Sequence, residues 1–137
     1  MVVHTTDGSF AAAASWFERP RSGVSAHYLV GLDGREAQFV REVDTARHAG
    51  RILRPEAAIA AQATSDGVNR FTIGIEFEDA GDPLGVRRPR TQYEAGARLL
   101  ADICSPWDIP LDREHRPPRA LRSQGLPLVS RRSQSRS

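Results

Sequence analysis

The chain contains no lysine: all 19 basic residues are arginine. It has one cysteine, Cys104, so no intrachain disulfide can form. No run of residues approaches the ~20 apolar positions that a membrane-spanning helix requires. The N-terminus has no basic segment leading into an apolar one, so a Sec-type signal peptide is not expected. The corresponding expectation is a cytoplasmic protein, or one released by a non-Sec route. A length of 137 residues suits one domain and is short for two. No internal repeat is visible.

Charge is distributed unevenly. Residues 116–137 carry six arginines and no acid, whereas residues 1–115 carry 13 arginines against 17 acids, a net charge of −4. The basic balance of the chain therefore belongs mostly to its tail. A basic tail can bind nucleic acid or an anionic surface, but no nucleic-acid recognition motif accompanies this one, so nucleic acid is not the expected partner. The tail has no persuasive periodicity and reads as loop or disorder.

Before the tail, the pattern is that of a mixed α/β fold. Met1–Thr5 reads as a short buried strand. Ser9 is placed to cap a helix over Phe10–Phe17, which Arg19-Pro20 terminates. Ala26–Val30 and Ala37–Val40 flank Asp33-Gly34, a strong hairpin signal. Residues 51–68 show no period and read as a long surface connection. Phe71–Phe77 alternates as a strand, with Glu76 opposite in sense to Ile73, Ile75 and Phe77, toward a cleft. After a Gly/Pro/Arg loop at 81–90, Thr91 and Glu94 have the spacing of a capping box. Tyr93, Ala97, Leu100 and Cys104 follow at helical spacing, and Pro106 and Pro110 close the helix.

The residues able to carry chemistry are few. His4 ends the first strand, Glu76 lies on a later one, and His115 stands where the recognisable pattern stops. Two histidines and a carboxylate so distributed suggest a zinc hydrolase. A catalytic zinc holds three protein ligands and leaves one position for water. The metal acidifies that water toward a pKa of ~7 and polarises the scissile carbonyl, while a nearby carboxylate moves the proton. Each residue also has a plain structural role available, as a bonded strand-end histidine, a loop histidine or an edge acid.

Five segments in order carry a resemblance: Val3-His4-Thr5, Ala26-His27-Tyr28, Arg47-His48-Ala49-Gly50, Ile73-Gly74-Ile75-Glu76 and Arg113-Glu114-His115. Together they resemble the zinc-dependent N-acetylmuramoyl-L-alanine amidases, the type-2 amidases related to peptidoglycan recognition proteins. The resemblance covers roughly residues 1–115. It implies a single α/β (mixed α+β) domain, with a central mixed sheet of about five strands and helices on its faces. It implies hydrolysis of the amide between the lactyl group of N-acetylmuramic acid and L-alanine, with peptidoglycan or a muropeptide as partner; the sequence leaves the oligomeric state open, with a monomer as the expectation. It assigns His4 and His115 to Zn2+ and Glu76 to the general base. One branch of the family uses a tyrosine on the second strand; that position here is Ala26, so Glu76 carries the role alone. His48 matches a groove-lining position, for substrate contact or as a structural turn. Asn69 is placed either to touch substrate or to cap a loop. His27 and Cys104 read as structural.

The family pattern breaks after His115. A Lys-x-Cys-Pro or Lys-x-Asp-Pro element should supply the remaining ligand and a lysine on the oxyanion side. No Cys, Asp or Glu follows Glu114, and there is no lysine. With suitable codons, Ser123–Pro127 read one base later becomes Ala-Lys-Ala-Cys-Pro, so a shifted reading frame is one explanation. A divergent, disordered tail at 116–137 is the other. Either way zinc should be held weakly, and non-catalytic muropeptide binding is the alternative function. Binding of nucleic acid or an anionic surface through the tail comes third.

Overall fold

The computed structural model describes residues 1–50, 67–79 and 88–109. Four strands among them, β1 (Val2–Thr5), β2 (Tyr28–Val30), β3 (Glu36–Gln38) and β4 (Gly74–Phe77), form one mixed sheet in the order β1-β4-β2-β3. β4 is central and runs parallel to both β1 and β2. β3 is joined to β2 as an antiparallel hairpin. Helix α1 spans Phe10–Phe17 and α2 spans Arg90–Cys104. The connection expected at residues 51–68, the loop at 81–90 and the tail lie wholly or mostly outside the described residues, as do His115 and Pro110.

Local signals account for most of these elements. The Ser9 hydroxyl accepts the Ala12 N–H and starts α1 where the sequence places it. Gly34 takes a left-handed φ of 84° in the β2–β3 turn, a conformation other L-residues avoid. The strand expected over Phe71–Phe77 is shorter than its alternation suggests. Val68–Phe71 forms a 3-10 turn, and the ladder begins at Gly74. The Thr72 hydroxyl stabilises that turn by donating to the Val68 carbonyl at 2.8 Å.

The start of α2 differs from its expected capping box. Pro89, extended at φ −60° and ψ 148°, is the N-cap, and the helix opens at Arg90. Thr91 is thus already helical; its hydroxyl donates to the Leu32 carbonyl at 2.8 Å. Glu94 pairs with Arg90 instead of reaching back to a cap. The buried face is also displaced from the expected one. Gln92, Ala95, Gly96, Leu99, Ile103 and Cys104 turn inward, whereas Tyr93 is 59% exposed and Ala97 is exposed. Gly96 supplies the physical reason: the Phe77 ring lies so close that a Cβ there would stand 2.5 Å from it. This flat spot seats α2 against β4 along the Gly96 face, and Tyr93 is left at the rim.

The core between sheet and α2 consists of Val30, Ile73, Ile75, Ala95, Leu99 and Ile103, flanked by Tyr28, Phe77 and Leu100. Strand alternation sends Ile75 and Phe77 into it and so sends Gly74 and Glu76 to the opposite face. That face carries the candidate site.

Candidate active site

Parallel pairing of β1 and β4 places His4 opposite Glu76, and pairing of β2 and β4 places Leu29 opposite Glu76 on the other side. In-register neighbours share a face. Glu76 thus sits between a histidine and a fully buried leucine. Burial pushes its carboxyl above the ordinary carboxylate range. A carboxylate whose pKa is raised is a stronger proton acceptor, which suits a general base.

His48 reaches the same face from the loop after β3. Its Nδ1 is 3.1 Å from His4 Nε2, and its Nε2 is 3.1 Å from the Thr72 hydroxyl and 3.4 Å from the Thr72 carbonyl. The partners assign the protons. The Thr72 hydroxyl has given its hydrogen to Val68, and a carbonyl can only accept. His48 Nε2 therefore carries a hydrogen and Nδ1 a lone pair, so His4 Nε2–H donates to it. Among the described residues, His4 is left with a free lone pair at Nδ1. Burial draws both histidines below their ordinary pKa, His48 to about 4. Burial is the larger cause for His48, and the charge of His4 adds to it. Both are neutral at pH 7, the state in which imidazole ligates a cation.

His27 underlies this cluster, 1% exposed. Its Nδ1 accepts the Gly74 N–H at 3.0 Å, and its Nε2–H donates to the Asp44 carbonyl at 3.1 Å. It holds β4 and the 40s loop together, as a structural residue. Asn69 also works on the backbone. Its amide donates to the Ala49 carbonyl and accepts the Ala49 N–H, each at 2.9 Å, which fixes the loop that carries His48. Cys104 is buried on α2.

Glu78 is the residue that sequence reasoning missed. It is 7% exposed and accepts two backbone N–H groups, from Phe10 at 2.7 Å and from Leu32 at 2.8 Å. It thereby ties the first turn of α1 and the β2–β3 turn to the end of β4. The Glu76-Phe77-Glu78 alternation puts it on the same face as Glu76, but alternation cannot separate a catalytic acid from a clamping one.

The profile of the N-acetylmuramoyl-L-alanine amidase family matches residues 1–133 of this chain. The chain belongs to that family. The match runs past His115 and includes most of the arginine-rich tail. N-acetylmuramoyl-L-alanine amidase A of Achromobacter lyticus is 33% identical over 140 residues, covering 95% of this chain and 70% of that one. The N-acetylmuramyl-L-alanine amidase AmiD from E. coli superposes with a TM-score of 0.58 at 28% identity, over 79% of this chain and 43% of that chain. The AmiD structure is a complex with its substrate, anhydro-N-acetylmuramic acid-L-Ala-D-gamma-Glu-L-Lys. The mixed sheet with flanking helices is thus the amidase fold, and this chain is a peptidoglycan amidase-type domain.

In an amidase of this kind the His4 environment fits a metal. A metal-binding imidazole typically donates its second ring N–H to a fixed acceptor, and His4 Nε2–H does so to His48. Among the described residues, no three His, Cys, Asp or Glu side chains gather as a metal-holding group. His115, the other histidine expected to join His4, lies outside them.

Proposed function

We propose that this chain hydrolyses the lactyl–L-alanine amide of peptidoglycan or a muropeptide, with Zn2+ as cofactor, His4 and His115 as its protein ligands and Glu76 as general base. The observation that carries the reading is the in-register placement of His4 beside Glu76 on neighbouring parallel strands. It sets a histidine beside a carboxylate whose pKa burial raises. Zinc, when bound, would polarise the scissile carbonyl and acidify water. The Glu76 carboxylate takes a proton from the attacking water and delivers it to the amide nitrogen as the C–N bond breaks. The products are a free lactyl carboxylate and a stem peptide with a free L-alanine amine. His48 meets His4 from the 40s loop and Asn69 fixes that loop from the Val68–Phe71 turn, and substrate contact by both residues forms part of the proposal.

The test is mass spectrometry of a disaccharide or anhydromuramyl peptide incubated with the protein, with and without zinc and a chelator. Release of the intact stem peptide in a zinc-dependent reaction is expected, and Glu76→Gln should slow it by about 10²–10⁴-fold, the scale of a general base. Unchanged turnover in Glu76→Gln would remove that residue from the mechanism.

A second reading rests on one feature, the absence of Cys, Asp, Glu or Lys after Glu114. Without that anionic ligand and lysine, zinc binds weakly and the groove holds muropeptide without turnover. Calorimetry that finds muropeptide binding but no product favours this reading. Tight stoichiometric zinc excludes it.

A further inference from the structure

Gly74 lies in the Ile-Gly-Ile-Glu strand, and its backbone does not explain why it is glycine, because its φ is not positive. Space does explain it. A Cβ on Gly74 would lie 2.1 Å from His48 Cγ and 2.6 Å from His48 Cβ. These are the root of the side chain, where rotation brings no relief. The His48 ring therefore rests directly on the β4 backbone. It is held there from three other directions: Thr72 accepts at Nε2, His4 donates at Nδ1, and Asn69 fixes the loop through Ala49. Below it, the Gly74 N–H and carbonyl are both taken by His27, by its ring and its own N–H.

This fixed stack has a consequence for His4. β1 is an edge strand among the described residues, and His4 is partly exposed. An imidazole so placed in water would exchange between its two neutral tautomers. Here the chain of donors from His4 through His48 and Thr72 to Val68 runs in one direction only.

We infer that His48 is a positioning residue for His4, seated by the absent side chain of Gly74 and polarised by Thr72, and that it holds His4 in the Nε2–H tautomer with Nδ1 presented to the reaction centre. The inference deepens the proposed amidase reading, since it names what prepares His4 for a cation. It is nevertheless a property of the metal-free protein, and its test is independent of turnover.

The experiment is long-range 1H–15N correlation of the histidine rings in the metal-free protein at neutral pH, where protonated and unprotonated ring nitrogens resonate far apart. Wild-type His4 should show a single species protonated at Nε2. In His48→Ala its two nitrogen shifts should move toward each other, as both tautomers become populated. His48→Asn, whose Oδ1 occupies about the place of the lost Nδ1, should restore the wild-type pattern. Thr72→Val should average the His48 nitrogens. Wild-type His4 protonated at Nδ1, or already averaged, overturns the inference without recourse to any variant. So does a His4 signature unchanged in a folded His48→Ala protein. A confirmed tautomer in a protein that releases no stem peptide would sink the amidase reading and leave this one standing.

Discussion

Glu76 and Glu78 are two residues apart and equivalent by alternation, yet the structure gives them different surroundings, and one pair of substitutions separates them. Glu78→Gln keeps the shape of the side chain and removes its charge. One of the two bonds, to Phe10 N–H at 2.7 Å or to Leu32 N–H at 2.8 Å, survives as a neutral bond. A bond to a charged group contributes about 1.5–3 kcal/mol and a neutral one about 0.5–1.5, so the surviving contact loses roughly 1 kcal/mol. At the other, an amide NH2 now faces a backbone N–H, and the stranded donor costs about 1–3 kcal/mol. The sum is about 2–4 kcal/mol, a large part of the ~5–15 kcal/mol that holds a domain together. In urea, with a slope of ~1–3 kcal/mol per M, the midpoint should fall by roughly 1–3 M. The transition can be followed by circular dichroism. Glu76→Gln should instead unfold at the same or higher urea, because it removes a charge that burial disfavours. A Glu78→Gln midpoint within error of wild type would refute the clamp and show that neither turn depends on that carboxylate.

The fold makes further checkable demands. Burial holds His27 below its ordinary pKa, only partly offset by its bond to the Asp44 carbonyl and by the charges of Glu42 and Asp44, so the folded state favours neutral His27. Between its folded pKa and 6.5 the unfolded chain binds more protons, so this contribution is complete above about pH 6.5 and is lost as pH falls below it. Urea midpoints at several pH values should drop through that window, with a smaller drop in His27→Gln; equal slopes would show that another group titrates. Gly34→Ala places a Cβ at φ 84° and 3.1 Å from the Thr91 carbonyl; a loss of about 1–2 kcal/mol is expected from the left-handed conformation alone, and a neutral result would mean that the turn had rearranged.

The comparison of sequence with structure has a regular pattern. Ser9 and the alanine run declared α1, Asp33-Gly34 declared the hairpin, and the alternation of Ile73, Ile75 and Phe77 put Glu76 on the other face. These features depend on a residue and its near neighbours, where capping, turn conformation and strand period act. The five expected site residues, His4, His48, Asn69, Glu76 and His115, could be named from the sequence as chemistry-bearing types in family order. What each one touches could not be, because His4 and His48 are 44 positions apart and meet only through the β1-β4 pairing and the Asn69-tied loop. Tertiary packing likewise decided the face of α2, since Tyr93 and Gly96 both satisfy helical spacing and only the Phe77 ring chooses between them. It decided that Gly74 is a seat for His48. It also decided that Glu78 binds backbone while Glu76 stays half-buried on the same face, because burial and partners separate two identical carboxylates and a one-dimensional pattern contains neither.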